Sequence, residues 1–234
     1  MLLKELRTQV LEANLELVRR GLVLYTFGNA SGIDRSQGLI VIKPSGVDYA
    51  DLRPEHMVVT DLHGKIVDGT LRPSSDLDTH TQLYRHFRSI GAVVHTHSEY
   101  ATSFAQAGLP IPALGTTHAD YFYGPVPVTQ PLSDEAIGGS YVHETGAAIT
   151  RLFDGPPRID PLAVPAVLVA GHAPFCWGKD PDDAAHNAVI LEAVARMAYR
   201  TLTLRAEAGC VTQALLDRHY FRKHGADATY GQPT

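Results

Sequence analysis

His95 and His97 end an apolar run that reads GAVVHTH. The run has the length and composition of a buried strand, and in a strand residues i and i+2 face the same way. The two imidazoles therefore stand side by side, with Cβ atoms roughly 7 Å apart from the strand rise. Rings so placed converge on one borderline divalent ion such as zinc. Three protein ligands with an open position is the arrangement of a catalytic zinc rather than a structural one. His172 is the third candidate, because it follows a second apolar run, VLVAG, and would sit at the matching end of a neighbouring strand. Asp76 is the candidate fourth or exchangeable ligand. The competing interpretation is a pair of core histidines, each neutral and satisfied by backbone carbonyls; a second apolar run ending in histidine favours the metal. Unperturbed imidazoles titrate near pH ~6.5, so such a site is expected to lose its ion in mild acid.

Three further segments suit an anion: Gly28-Asn29, Lys43-Pro44-Ser45-Gly46 and Ser74-Ser75. They offer hydroxyls, backbone amides, a helix start and one ammonium, the groups that bind phosphate. Each alone is an ordinary turn or helix start. Neither GxGxxG nor a Walker pattern accompanies them, so no nucleotide motif is present. Of the other histidines, His56, His63, His80, His86, His143, His186 and His224 fall in helix or turn patterns and read as surface or packing residues. His118, in GTTHADYFYG, is ambiguous.

The elements that must position these groups follow from periodicity. Leu3, Leu6, Val10, Ala13, Leu17 and Val18 form a helical stripe that Gly21 stops. LIVIK is a strand leaving one hairpin, and MVVT and KIVDG flank DLHG in a second. A helix follows PSSD through Leu83, Tyr84 and Phe87, with Ser74 or Ser75 as its N-cap. SEYATSFAQAG predicts a short helix, and residues 109–133 a proline-rich loop with one short strand. Residues 140–153 read as helix, AVLVAGHAPFCWG as one buried strand running into a loop, 180–206 as a long helix and 212–223 as a shorter one. The last ten residues show no periodicity. Early hairpins followed by mixed strands and helices predict an α/β/α sandwich around a mainly antiparallel sheet.

The chain has 234 residues, 44% of them hydrophobic and 19% charged, which fits a single domain over 1–234. No apolar run of about 18 residues predicts a membrane span. The amphipathic, early-acidic N-terminus is unlike a signal peptide. The two cysteines, Cys176 and Cys210, form no CxxC pair; together these features predict a reducing, cytoplasmic setting. The formal net charge is -5 with no basic stripe, which argues against nucleic acid. An anionic substrate would have to be held by local groups.

Taken in order, QVLEANLELVRRGLVLYTFGNASGIDR, VIKPSGVDY, PSSDLDTH, SIGAVVHTHS, GTTHADYFYG, ETG, GHAPFCWGKDPDDAAHNAVILE and LLDRHYFRKHGADATYGQ span nearly the whole chain. Together they resemble the L-ribulose-5-phosphate 4-epimerases of the class II sugar-phosphate aldolase/epimerase superfamily. The resemblance implies the α/β/α sandwich and a C4 homotetramer with sites between subunits. It implies a zinc ion, with manganese or cobalt as substitutes, on His95, His97 and His172 with Asp76 beside it. Phosphate would bind at Asn29, Lys43, Ser45, Gly46, Ser74 and Ser75. Asp120 and Tyr230 would be the acid/base pair, the tyrosine coming from the adjacent subunit through a tail over roughly 225–234. His219 matches a position near the phosphate and that tyrosine. Two departures stand out: HAPFCWG lacks the usual glycine before its proline, and the stretch from Arg151 to Pro165 is richer in proline. The implied substrate is a small sugar phosphate, in arabinose or another pentose metabolism. The implied reaction inverts C4 by retro-aldol cleavage of C3–C4 and re-addition. A class II aldolase that releases its aldehyde and a non-catalytic scaffold like the adducin head are the alternatives.

Overall fold

The computed structural model describes residues 1–225 and 228–229. Helix α1 (Lys4–Arg19) leads into a hairpin of β1 (Asn29–Asp34) and β2 (Leu39–Ile42). Two 3-10 turns (Tyr49–Asp51 and Pro54–His56) precede a second hairpin of β3 (Val58–Asp61) and β4 (Ile66–Asp68). Then come α2 (Leu77–His86), β5 (Ala92–His95), α3 (Glu99–Ala107), the short helices α4 (Thr116–Ala119) and α5 (Asp134–Gly138), and α6 (Tyr141–Asp154). The hairpin of β6 (Ala166–Leu168) and β7 (Pro174–Gly178) is followed by α7 (Pro181–Leu204) and α8 (Gln213–His224).

The seven strands make one sheet in the order β4-β3-β2-β1-β5-β7-β6, antiparallel at every pairing. Alternation along the strands builds two cores. Ala92 and Val94 of β5, Cys176 of β7 and Ala166 and Leu168 of β6 face α3, α7 and the end of α1. Val93, Phe175, Trp177 and Val167 face the other way, onto Leu83 and Tyr84 of α2, its C-cap Phe87, and Ile149 and Phe153 of α6. Helices thus cover both faces, and the α/β/α sandwich expected from the sequence is what forms. No helix among the described residues is long and apolar enough to cross a membrane.

Three local expectations need correction. AVLVAGHAPFCWG is not one strand but two, because Gly171 (φ 68°) reverses the chain and the Val169 amide donates to the Ala173 carbonyl at 3.0 Å. The N-cap of α2 is Asp76, not Ser74 or Ser75; the Ser74 hydroxyl instead accepts from the Asp76 amide at 3.3 Å. The segment 109–133 carries α4 and only isolated bridges, Ile111 to Val126 and Val128 to Leu168.

For the site, the decisive feature is the register around β5. His95 lies opposite Asn29 of β1 on one side and Phe175 of β7 on the other. One strand end therefore meets the start of β1, the β6–β7 turn and, across the sheet face, the start of α2.

Candidate metal and anion site

His95 is buried at the end of β5, and His97 continues the line two residues beyond. The Nε2 atoms of His95 and His97 are 3.1 Å apart. His172, on the β6–β7 turn, brings its Nε2 to 3.3 Å from that of His95. Two nitrogens at about 2.0–2.1 Å from one tetrahedral ion stand about 3.3 Å apart, so the three rings fit a single divalent cation. This is the one group of three or more His, Cys, Asp or Glu side chains among the described residues with that convergence.

The electrostatics agree. The His95 Nδ1–H donates to the Pro174 carbonyl at 2.9 Å, which leaves the Nε2 lone pair facing the other two rings. Phe175 stacks on the His95 ring at 4.2 Å between centroids. Burial pushes the pKa of His95 down to about 3, and burial also lowers those of His97 and His172. All three are held as neutral imidazoles, the form that ligates.

Asp76 approaches from the start of α2. Burial favours its neutral form, but electrostatic interaction with the His95 and His80 rings and a 2.7 Å hydrogen bond from Asn29 Nδ2 outweigh it and hold the carboxyl below its usual range. His80, one turn further along α2, is a packing histidine and not a surface one, and it also carries a polar network. It is fully buried, its Nδ1 lies 2.7 Å from the Ser31 hydroxyl, and that hydroxyl lies 2.7 Å from the Tyr84 hydroxyl. The ring sets its edge against Phe175, and burial pushes its pKa down to about 4. A polar layer therefore lies directly beneath the three-histidine group. The sequence did carry a signal for it, the i, i+4 spacing of Asp76 and His80 on one helix.

The anion end lies in the same cleft, of about 350 Å³. Asn29, Lys43, Ser45, Gly46, Ser74, Ser75 and Asp76 line it together with His95, His97 and His172, and Thr26 and Phe27 complete the wall. Backbone bonds bring the separate segments together: Ser74 N donates to the Lys43 carbonyl at 2.9 Å, Ser45 N to the Arg72 carbonyl at 2.9 Å, and Pro44 bridges Pro73. Lys43 is 2% exposed, yet its ammonium makes no ion pair among the described residues. It donates to the Pro44 and Val47 carbonyls at 3.3 and 3.2 Å. A buried cation with no ion pair among the described residues, lining a cleft of small polar residues, is suited to an anionic ligand. Burial lowers its pKa, and Asp48 partly restores it.

The other predicted residues lie apart. Asp120 caps α4 and does not line the cleft. Its carboxylate accepts from His219 Nδ1 at 3.0 Å and from Arg222 at 3.1 Å, with the Lys223 ammonium at 3.9 Å. His224 Nε2 donates to its carbonyl at 2.9 Å. His219 thus meets Asp120 but not the histidine group. Tyr230 lies outside the described residues. The ambiguous His118 is buried and donates from Nε2 to the Gly124 carbonyl at 2.7 Å, which makes it a support of the loop carrying Asp120.

Comparison with known proteins gives this arrangement a context. The family described as Class II Aldolase and Adducin N-terminal domain matches residues 8–199. Among solved structures, an L-fuculose 1-phosphate aldolase superposes with a TM-score of 0.75 at 24% identity, over 94% of this chain and 96% of that one. YgbL from Klebsiella pneumoniae gives 0.71 at 24%, over 92% and 97%. The L-fuculose-1-phosphate aldolase from Thermus thermophilus gives 0.66 at 22%, over 88% and 98%. At these identities the likeness is one of fold.

Proposed function

The chain belongs to the Class II Aldolase and Adducin N-terminal domain family, and we propose that within it this protein is a metal-dependent L-ribulose-5-phosphate 4-epimerase. The observation that carries this is a single cleft with two chemistries: three neutral imidazoles converging at one end, and a buried Lys43, with no ion pair among the described residues, beside small polar residues at the other. Such a cleft suits a ketose phosphate held by both its oxygens and its phosphate.

The chemistry explains the need for both ends. The C4 hydrogen of a pentulose is not adjacent to the carbonyl, so direct deprotonation does not invert that centre. Breaking C3–C4 gives dihydroxyacetone as its enediolate and glycolaldehyde phosphate; re-adding the other aldehyde face restores the bond with C4 inverted, with no redox change. His95, His97 and His172 would hold a divalent cation, zinc with manganese or cobalt as substitutes, which would supply Lewis-acid stabilisation of the developing enediolate charge. Asn29 and Pro174 orient Asp76 and His95 for that task. Asn29, Lys43, Ser45, Gly46, Ser74 and Ser75 hold the phosphate while the aldehyde turns. Asp120 and Tyr230 move the proton of the C4 hydroxyl oxygen, one for each epimer, with His219 beside them. Because Asp120 and His219 do not line the cleft of their own chain, the reading includes a homotetramer with sites between subunits, each chain a single domain with a tail reaching its neighbour. A cytoplasmic setting and a place in pentose metabolism belong to the same proposal.

The alternative is an aldolase that releases its aldehyde, and the fold shared with L-fuculose 1-phosphate aldolases favours it. One experiment separates the two. Zinc-loaded protein is mixed with L-ribulose 5-phosphate, and D-xylulose 5-phosphate and free glycolaldehyde phosphate are followed beside a chelated control. Metal-dependent xylulose phosphate without free aldehyde is expected. Free aldehyde accumulating first makes the protein an aldolase, and turnover that survives complete metal removal overturns both.

A further inference from the structure

The phosphate end depends on a residue that does not line it. Tyr49 follows Gly46 by three positions and is buried in the first 3-10 turn. The Lys43 ammonium sits over its ring, 4.6 Å from the centroid. The Tyr49 hydroxyl donates to the Gly28 carbonyl at 3.0 Å and lies 3.3 Å from that of Phe27. One side chain thus touches two of the separate segments that build the cleft. Its face holds the cation, and its hydroxyl holds the loop that leads into Asn29.

We propose that Tyr49 is a positioning residue for anion binding: its ring is the seat that keeps the Lys43 ammonium inside the cleft, and its hydroxyl pins that ring to the 27–28 loop. The inference rests on the phosphate reading of this end of the cleft. Its logic is one of partners. Lys43 Nζ has two carbonyl acceptors, both at 3.2 Å or longer, and no ion pair among the described residues. Asp48 acts on it only from beyond ion-pair distance, and a desolvated ammonium gains most from an aromatic face where no carboxylate is in contact. Without that face the flexible lysine stem has other rotamers to occupy, and a preorganised donor becomes one that must be ordered on binding.

The test is inorganic phosphate binding by calorimetry, with zinc titration reporting the integrity of His95, His97 and His172. Tyr49→Phe keeps the face and is expected to bind phosphate within about threefold of wild type. Tyr49→Leu removes it and is expected to bind about tenfold more weakly, with zinc affinity retained. In a Lys43→Met background, Tyr49→Leu is expected to cause no further loss, which a merely structural role would not produce. Phenylalanines of increasing fluorination at position 49 weaken the ring's negative face at nearly constant volume; phosphate affinity should fall stepwise along that series even if the leucine variant does not fold. Equal phosphate affinity across the fluorinated series, or an undiminished leucine effect without Lys43, overturns the inference. Wild-type protein that binds zinc but no phosphate overturns the phosphate reading itself and this inference with it.

Discussion

Gly28 is where the sheet and the cleft constrain one another most tightly. It has φ 79°, in the left-handed region, and it precedes Asn29, which pairs with His95. A Cβ built on it would stand 2.9 Å from the His95 carbonyl oxygen, 3.0 Å from Val23 Cγ1 and 3.4 Å from Thr96 Cα. Gly28→Ala therefore carries two penalties. The left-handed backbone costs an L-residue about 1–2 kcal/mol, and intrusion into packed backbone adds about 1–3 kcal/mol. Gly21 supplies the internal control: its φ is 69°, but nothing lies within 4 Å of its Cβ position. Gly21→Ala should cost only the first penalty, about 1–2 kcal/mol, and Gly28→Ala the sum, about 2–5 kcal/mol. For a chain of this size 1 kcal/mol is about 2–4 °C in Tm, so the midpoints should fall by roughly 2–8 °C and 4–20 °C respectively. The atom met first is the carbonyl of a candidate ligand, so relief of the contact moves the end of β5. Zinc affinity should then drop about tenfold, the scale of a lost outer contact to a metal ligand, while Gly21→Ala leaves it unchanged. Thermal unfolding and zinc competition titration read both effects. Equal destabilisation by the two alanines, with zinc affinity unaltered in both, would refute the placement of Gly28 against His95.

The same polar layer makes three further expectations measurable. His80→Ala empties a fully buried site and strips the Ser31 hydroxyl, itself bonded to the Tyr84 hydroxyl, of its ring partner; a loss of about 2–4 kcal/mol in urea unfolding is expected, and a loss under 1 kcal/mol would contradict the network. Asn29→Leu removes the 2.7 Å donor to Asp76 and should weaken zinc binding roughly tenfold with little change in Tm, whereas unaltered affinity would detach Asp76 from the metal. Metal-free protein should lose stability as pH falls below ~6.5, because the unfolded chain takes up protons at His80 and His95 that the folded chain, with pKa values of about 4 and about 3, refuses. Each contributes a slope of about 1.4 kcal/mol per pH unit between the unfolded and folded values; urea midpoints that do not move between pH 7 and pH 5 would show that burial does not hold these rings neutral. The zinc-bound protein should likewise keep its ion to a lower pH than unperturbed histidines imply.

What the sequence made legible follows from how local each signal is. The pairing of His95 with His97 rests on the two-residue period of a strand, and the layers rest on alternation along β5, β6 and β7, so both are written in short windows. His172 follows the VLVAG run and sits at the end of the neighbouring strands, but on a tight turn that Gly171 makes possible, and the antiparallel return through Pro174 to Phe175 brings it beside His95. By composition Ser74 and Ser75 look like a helix cap, yet the backbone bond from Ser74 to Lys43 places this segment against one about thirty residues away. No window of sequence contains that contact.

His80 and Tyr49 mark the limit more sharply. A histidine in a helical pattern and a tyrosine near a glycine turn are ordinary by type, and both owe their roles to what the sheet stacks against them. His80 gains its role from Ser31 on β1 and Phe175 on β7, Tyr49 from the carbonyls of Phe27 and Gly28. In each case one group supports two segments distant in sequence, which is how a cleft made of short loops is kept in one geometry. Asp120 shows the converse. Its three neighbours on α8, His219, Arg222 and Lys223, fix it in place, yet that place is not the cleft of its own chain. Rigid attachment away from the histidine group is what a residue needs if it is to act across a boundary between copies. Asp120→Asn would then separate the two halves of the site, leaving zinc and phosphate binding unchanged while slowing turnover at least about a hundredfold. Loss of zinc affinity in that variant would instead tie Asp120 to the metal of its own chain.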